Sequence, residues 1–187
     1  VVRDIVAALP EGCAVPVLIV QHIAAGFTEG LVQWLAGAAR CPVEVHCDGE
    51  LLRAGHIYMA PEGVHLGVSS SGHVLLSAAA LEHGMRPAVS YLFRSVTASF
   101  GAAVVGVLLT GMGTDGSAEL KVLRDAGAVT IAQDAASSVV HGMPGEAIRL
   151  GGATYVRPAD AIASLLISLV PNRIEGGDGE RASSIGP

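Results

Sequence analysis

The chain has 187 residues, 51% of them apolar and 4% aromatic, with a formal net charge of −6. That length suits one domain with a substantial core, and no apolar run reaches the roughly 18 residues of a membrane-spanning helix. A negative balance without a Lys/Arg cluster and with few rings argues against a nucleic-acid surface, and no membrane insertion is expected. Cys13, Cys41 and Cys47 are too few, and odd in number, for a disulfide framework. The first residues lack the basic-then-apolar layout of a secretory signal, so a reducing cytoplasm is the expected setting.

Val1 to Leu9 reads as a helix, with Val2, Ile5, Val6 and Leu9 spaced for one face and Pro10-Glu11-Gly12 ending it. Ala14 to Val20 reads as a strand with Gln21-His22 at its carboxyl end. The next helix starts at Gly26 or Thr28 and carries Leu31, Trp34 and Leu35 as an expected core face. Pro42 to His46 and Gly55 to Ala60 are short strands. Val64 to Val68 and His73 to Ser77 flank Ser69-Ser70-Ser71-Gly72 as an antiparallel hairpin. Glu82 to Pro87 forms a loop before a helix over Ala88 to Phe100, with Pro87 suited to its first position.

Ala102 to Thr110 is rich in β-branched residues and suits a strand buried on both faces. Gly111-Met112-Gly113-Thr114-Asp115-Gly116 then turns into a helix over Ser117 to Ala126. Ala128 to Ala132 is a strand, Ala135 to Gly142 a polar loop, and Met143-Pro144 opens a helix that Gly151-Gly152 stops. A short strand, Ala153 to Val156, precedes a last helix to about Val170. This alternation predicts a three-layer αβα domain over residues 1–171, with a doubly wound, mostly parallel sheet and an inserted antiparallel hairpin. Such a domain ordinarily begins on a strand, so a strand ahead of Val1 is expected. Residues 172–187, rich in Gly, Ser and charge, are expected to be disordered.

The six-residue turn carries three readings. As a literal G-x-G-x-x-G between strand and helix, with Asp134 about twenty residues on, it fits a dinucleotide-binding fingerprint. Asp115 opposes that reading, because its charge would stand where a pyrophosphate sits; so does the position of the turn, well inside the chain. Asp115 as a plain helix cap is the second reading. The third pairs Asp115 with His22: both follow predicted parallel strands and face the same sheet edge, where a carboxylate fixes an imidazole's tautomer for proton transfer. A nucleophile is not identifiable. No G-x-S-x-G occurs, and Ser69 to Ser71 read as a hairpin tip.

Several segments occur in an order that resembles the CheB family of chemotaxis-receptor protein-glutamate methylesterases. They are Val17-Leu18-Ile19-Val20-Gln21-His22, Gly55 to Pro61, Arg86-Pro87, Leu109 to Gly116 and Gln133 to Pro144. The resemblance covers about residues 1 to 170. It implies hydrolysis of glutamate methyl esters on cytoplasmic receptor helices, and in many members glutamine deamidation, without metal or organic cofactor. By position, His22 is similar to the general base, Asp115 to the carboxylate that orients it, and Met112 to the residue whose backbone amide lies near the oxyanion. Arg86 and His141 correspond to substrate-cleft positions, although the family's His-Arg-Pro-Ser-Val-Asp reads Met85-Arg86-Pro87-Ala88-Val89-Ser90 here. The family's nucleophilic serine lies in a Gly-Ala-Ser-x-Gly-Gly turn before the first helix, so it is expected ahead of Val1. A receiver domain or a separate regulator commonly controls such enzymes. A non-catalytic receptor- or partner-docking domain is the alternative.

Other constellations read as structural. Cys41, His46 and Cys47 match no zinc spacing. His56, His65 and His73 fit surface or hairpin positions. Ser117 suits a helix N-terminus, and Ser137 and Ser138 suit loop hydrogen bonding.

Overall fold

The computed structural model describes residues 1–45 and 47–170. The expectations for His46 and for the 172–187 tail lie outside the described residues. Helices and strands alternate: α1 (Val2–Ala8), β1 (Val17–Ile19), α2 (Thr28–Ala36), β2 (Val43–Val45) and β3 (Ile57–Met59). Then come β4 (His65–Val68), β5 (Val74–Ser77), α3 (Val89–Phe100), β6 (Val105–Leu108) and α4 (Ser117–Asp125). β7 (Val129–Gln133), α5 (Met143–Arg149), β8 (Tyr155–Arg157) and α6 (Ala159–Leu169) complete the order.

The parallel strands form two blocks, β1-β3-β2 and β6-β7-β8, and β4-β5 is an antiparallel hairpin. Register is set by pairs such as Val17↔Ile57 and Val43↔Ile57 in one block and Val107↔Ile131 in the other. The strands are shorter than the apolar runs that announced them; Ala102–Thr110 yields only β6.

Alternate side chains feed opposite layers, as a strand's period of two requires. On one face, Ile57 and Met59 meet Val6 of α1 and Leu35 of α2, while Ile131 meets Ile5 of α1 and Ile162 of α6. On the other, Tyr58 packs with Leu66, Leu92 and Val96, and Leu108 packs with Val89, Leu120 and Met143. Helix α1 therefore spans the two blocks on one face, and α3 spans them on the other. Together these layers make a three-layer α/β fold.

The spacing of Val89, Leu92, Phe93 and Val96 gives α3 one buried stripe. The hairpin lies against that helix. A Cβ on Gly67 would stand 2.9 Å from Ser95 Oγ, and the missing side chain lets Ser95 bond the Val68 backbone through both its N–H and its carbonyl. Two expectations fail locally. Pro87 does not take the first helical position: Ala88 is the N-cap, and Pro87 follows Arg86 through a cis peptide. Trp34 is 57% exposed beneath the Arg3 guanidinium, while Leu35 takes the core position.

Candidate active site

β1 and β6 deliver the two residues that matter most. His22 lies three residues past Ile19, and Asp115 lies in the turn after Leu108, seven residues past that strand's end. His22 Nε2 stands 2.8 Å from Asp115 Oδ2. Asp115 is 3% exposed.

Asp115 does not cap its own helix. Gly116, in the left-handed region, is the N-cap of α4, and the Asp115 carboxylate reaches instead to the start of α3. There it accepts the Val89 amide at Oδ2 (2.7 Å) and the Ser90 amide at Oδ1 (2.9 Å). The first amides of a helix lack intrahelical acceptors and carry its positive dipole end, so they favour an anion. Burial alone would push the Asp115 carboxyl up. The hydrogen bonds from His22, Ser90 and Val89 outweigh burial and hold it at about 2. An ionised carboxylate only accepts, so the neutral His22 ring carries its proton on Nε2 and leaves the lone pair on Nδ1.

A second tier surrounds the carboxylate. Ser90 Oγ accepts the Gly116 amide (2.9 Å) and donates to Glu119 Oε2 (2.8 Å). Arg94 donates to Glu119 Oε1 at 3.1 Å and also pairs with Glu82, whose backbone bridges to Met85. The loop before α3 is thereby tied to the helix that bears Asp115's amides.

The glycine turn is packed from above. Gly111 donates to the Val140 carbonyl, and its own carbonyl accepts the amides of Gly142 (3.1 Å) and Met143 (3.0 Å). Ser117 Oγ donates to the Met143 carbonyl. At the start of α4 the Gly116 amide is already taken by Ser90 Oγ and the ionised Asp115 stands beside it, which counts against a pyrophosphate there. Met112 projects 80% exposed from this turn. His141 pairs by a backbone bridge with Gly111, and its Nδ1 lies 3.3 Å from Ser138 Oγ. Ser137 bonds Asp134 and Gln133 within the same loop, as expected of a loop serine.

A cleft beside His22 is lined by Gln21, Met59, Glu62, Met85 and Arg86 among others. Arg86 borders it, but its guanidinium Nη1 donates to the carbonyls of Ala78 and Ala79. The sequence reading missed the Val89 and Ser90 amides, because backbone donors leave no side-chain signature. His65 does sit on the hairpin, at the start of β4, but it is 0% exposed, a burial that its hairpin position did not announce. No group of three or more His, Cys, Asp or Glu side chains able to hold a metal occurs among the described residues.

Comparison with known proteins converges on one family. A family model described as CheB methylesterase matches residues 1–166. A Syntrophus aciditrophicus protein named protein-glutamate methylesterase/protein-glutamine glutaminase 1 is 51% identical over 90% of this chain and 48% of its own length. A Geobacter metallireducens counterpart is 53% identical over 90% of this chain and 49% of its own. The chain thus spans about half the length of the curated relatives it matches. The crystal structure of the Thermotoga maritima CheB methylesterase catalytic domain aligns with a TM-score of 0.86 at 34% identity, covering 90% of this chain and 91% of that one. The chain belongs to the CheB methylesterase family.

Proposed function

We propose that this domain is the hydrolytic part of a cytoplasmic protein-glutamate methylesterase acting on the helices of methyl-accepting chemotaxis receptors. The observation that carries the reading is the His22–Asp115 hydrogen bond at 2.8 Å, with the carboxylate held ionised by two helix amides. In this mechanism His22 Nδ1 takes the proton of a serine hydroxyl as its oxygen bonds to the ester carbonyl carbon. The tetrahedral oxyanion is stabilised by backbone amides, among them that of Met112. The C–O bond to methoxide breaks, and His22 returns the proton so that methanol leaves. Water then attacks the acyl-enzyme with His22 again as base, giving glutamate and the restored serine. Attack on a glutamine carboxamide would follow the same route and release ammonia.

Residues ahead of Val1 are where we place the serine. β1 and β6 are end strands of their blocks and are only partly buried, at Val17, Leu18, Ile19, Val105 and Val107, whereas β3 is buried throughout. Both blocks share α1 and α3, so a further parallel strand between β1 and β6 would cover both edges and end near His22. We propose Arg86 as a wall of the cleft beside His22, and His141, bridged to Gly111 of the glycine turn, as a further substrate contact. Regulation by an upstream receiver domain fits the relatives' greater length, and a separate regulator is the alternative. Methanol release from methylated receptor by the full-length gene product tests the reading. No release from folded protein would leave a docking domain instead.

A further inference from the structure

Helix α3 begins without a side-chain cap of its own, since Ala88 stands at the N-cap. Its leading amides are nevertheless satisfied by two side chains from distant segments. Val89 and Ser90 donate to Asp115, and the preceding amide, of Ala88, donates to His65 Nδ1 at 3.2 Å. His65 comes from β4 and is fully buried. Its Nε2 lies 3.0 Å from the Ala80 carbonyl, and its ring stacks on Tyr91 of the first turn of α3, with centroids 4.7 Å apart and planes 10° apart.

These partners leave one tautomer. An amide N–H can only donate and a carbonyl can only accept, so Nδ1 must carry the lone pair and Nε2 the proton. His65 therefore holds the helix start by two grips, one on its first amide and one on a first-turn ring. Three consecutive amides, at Ala88, Val89 and Ser90, are fixed in sequence by His65 and then Asp115. A buried amide left without an acceptor is unfavourable enough to make this end shift if the acceptor is lost.

We propose that His65 is a positioning residue for the His22–Asp115 pair. By anchoring the Ala88 amide it sets where the next two amides point, and those amides hold the carboxylate toward His22. The proposal rests on reading that pair as the working base, but it concerns geometry and is tested without turnover.

The test compares His65→Asn and His65→Gln in the full chain. Asparagine places its side-chain oxygen near the position of Nδ1, and glutamine places its amide nitrogen near that of Nε2. The readout is the deshielded proton resonance of His22 Nε2–H, assigned by its loss in His22→Gln, with thermal unfolding recorded in parallel. The resonance should persist in wild type and His65→Asn and be lost to solvent exchange in His65→Gln. Equal behaviour of the two variants, or loss in the Asn variant alone, overturns the proposal, since a merely structural role would track stability rather than the nitrogen replaced. Should a variant fail to fold, nitrogen shifts of His65 in the unmutated chain decide: a proton on Nε2 is required, and a proton on Nδ1 overturns the proposal. Failure of the esterase reading would appear separately, as wild-type protein that keeps the resonance but releases no methanol.

Discussion

Asp115 and Val89 are joined by a 2.7 Å hydrogen bond that makes one carboxylate serve a helix and an imidazole together. The same oxygen takes the Val89 amide and His22 Nε2, and the other takes the Ser90 amide. An orienting carboxylate alone would leave stability almost untouched on removal. Because Asp115 also caps α3, Asp115→Asn is expected to cost about 1–2 kcal/mol of stability, since one of its two acceptor oxygens becomes a donor facing an N–H. Turnover of the full-length protein should fall on the order of 10⁴-fold through loss of the productive tautomer. Steady-state kinetics and urea unfolding check both. A near-normal rate removes Asp115 from the mechanism, and an unchanged midpoint removes it from the cap.

The carboxyl's low folded-state pKa makes a second expectation. Held at about 2 against an ordinary 3.8, Asp115 binds its proton less readily folded than unfolded. Its contribution is therefore fully present above the unfolded value and is lost as pH falls from about 4 through about 2. The size is about 2 kcal/mol. Unfolding free energies of wild type and Asp115→Asn should converge across that window, since other carboxylates titrate alike in both. A gap that stays constant from pH 5 to pH 2 would assign the acid sensitivity to another group.

His22 and Asp115 were legible in the sequence because each follows an apolar run read as a parallel strand, and parallel strands send their carboxyl ends to one edge. The alternation of helix and strand gave the layers for the same reason. Asp115's second attachment was not legible, because its partners are the amides of Val89 and Ser90, which any residue pair would supply. His65 was legible as a hairpin residue, but its burial was not. A four-residue strand shows no usable alternation when every position is buried, as in β4. Trp34 and Leu35 differ by one position on a helix turn, and spacing alone did not say which of them faces inward. Arg86 was placed beside the cleft by its motif, but the carbonyls that hold its guanidinium come from Ala78 and Ala79, residues without a polar side chain to announce them.

Gln133 links the turn to the following loop. Its side chain is 0% exposed; Oε1 accepts the Thr110 amide at 2.9 Å, and Nε2 donates to the Ser137 carbonyl at 2.9 Å. Gln133→Leu keeps the volume and removes both partners, so the Thr110 N–H and the Ser137 carbonyl lose their bonds together. A loss of about 2–3 kcal/mol is expected. Faster amide exchange at Thr110 should accompany it. A change within about 0.5 kcal/mol, the range of ordinary surface substitutions, would show that water takes over both groups.

Gly116 and Gly113 separate steric from conformational cost within one turn. Both have positive φ, +78° and +84°. A Cβ on Gly113 would meet nothing within 4 Å, so Gly113→Ala should cost only the left-handed penalty of about 1–2 kcal/mol. A Cβ on Gly116 would run into the Val89 side chain, with Leu108 close behind. Gly116→Ala therefore adds overpacking of about 1–3 kcal/mol to the same penalty. The displaced residue matters as much as the energy. Val89 donates to Asp115, so pushing it away should weaken the carboxylate's grip on His22 as well as the fold. Thermal unfolding of the two variants side by side checks the difference. Equal destabilisation would mean that Val89 yields without cost, and that the close approach of α3 to this turn does not hold Asp115 in place.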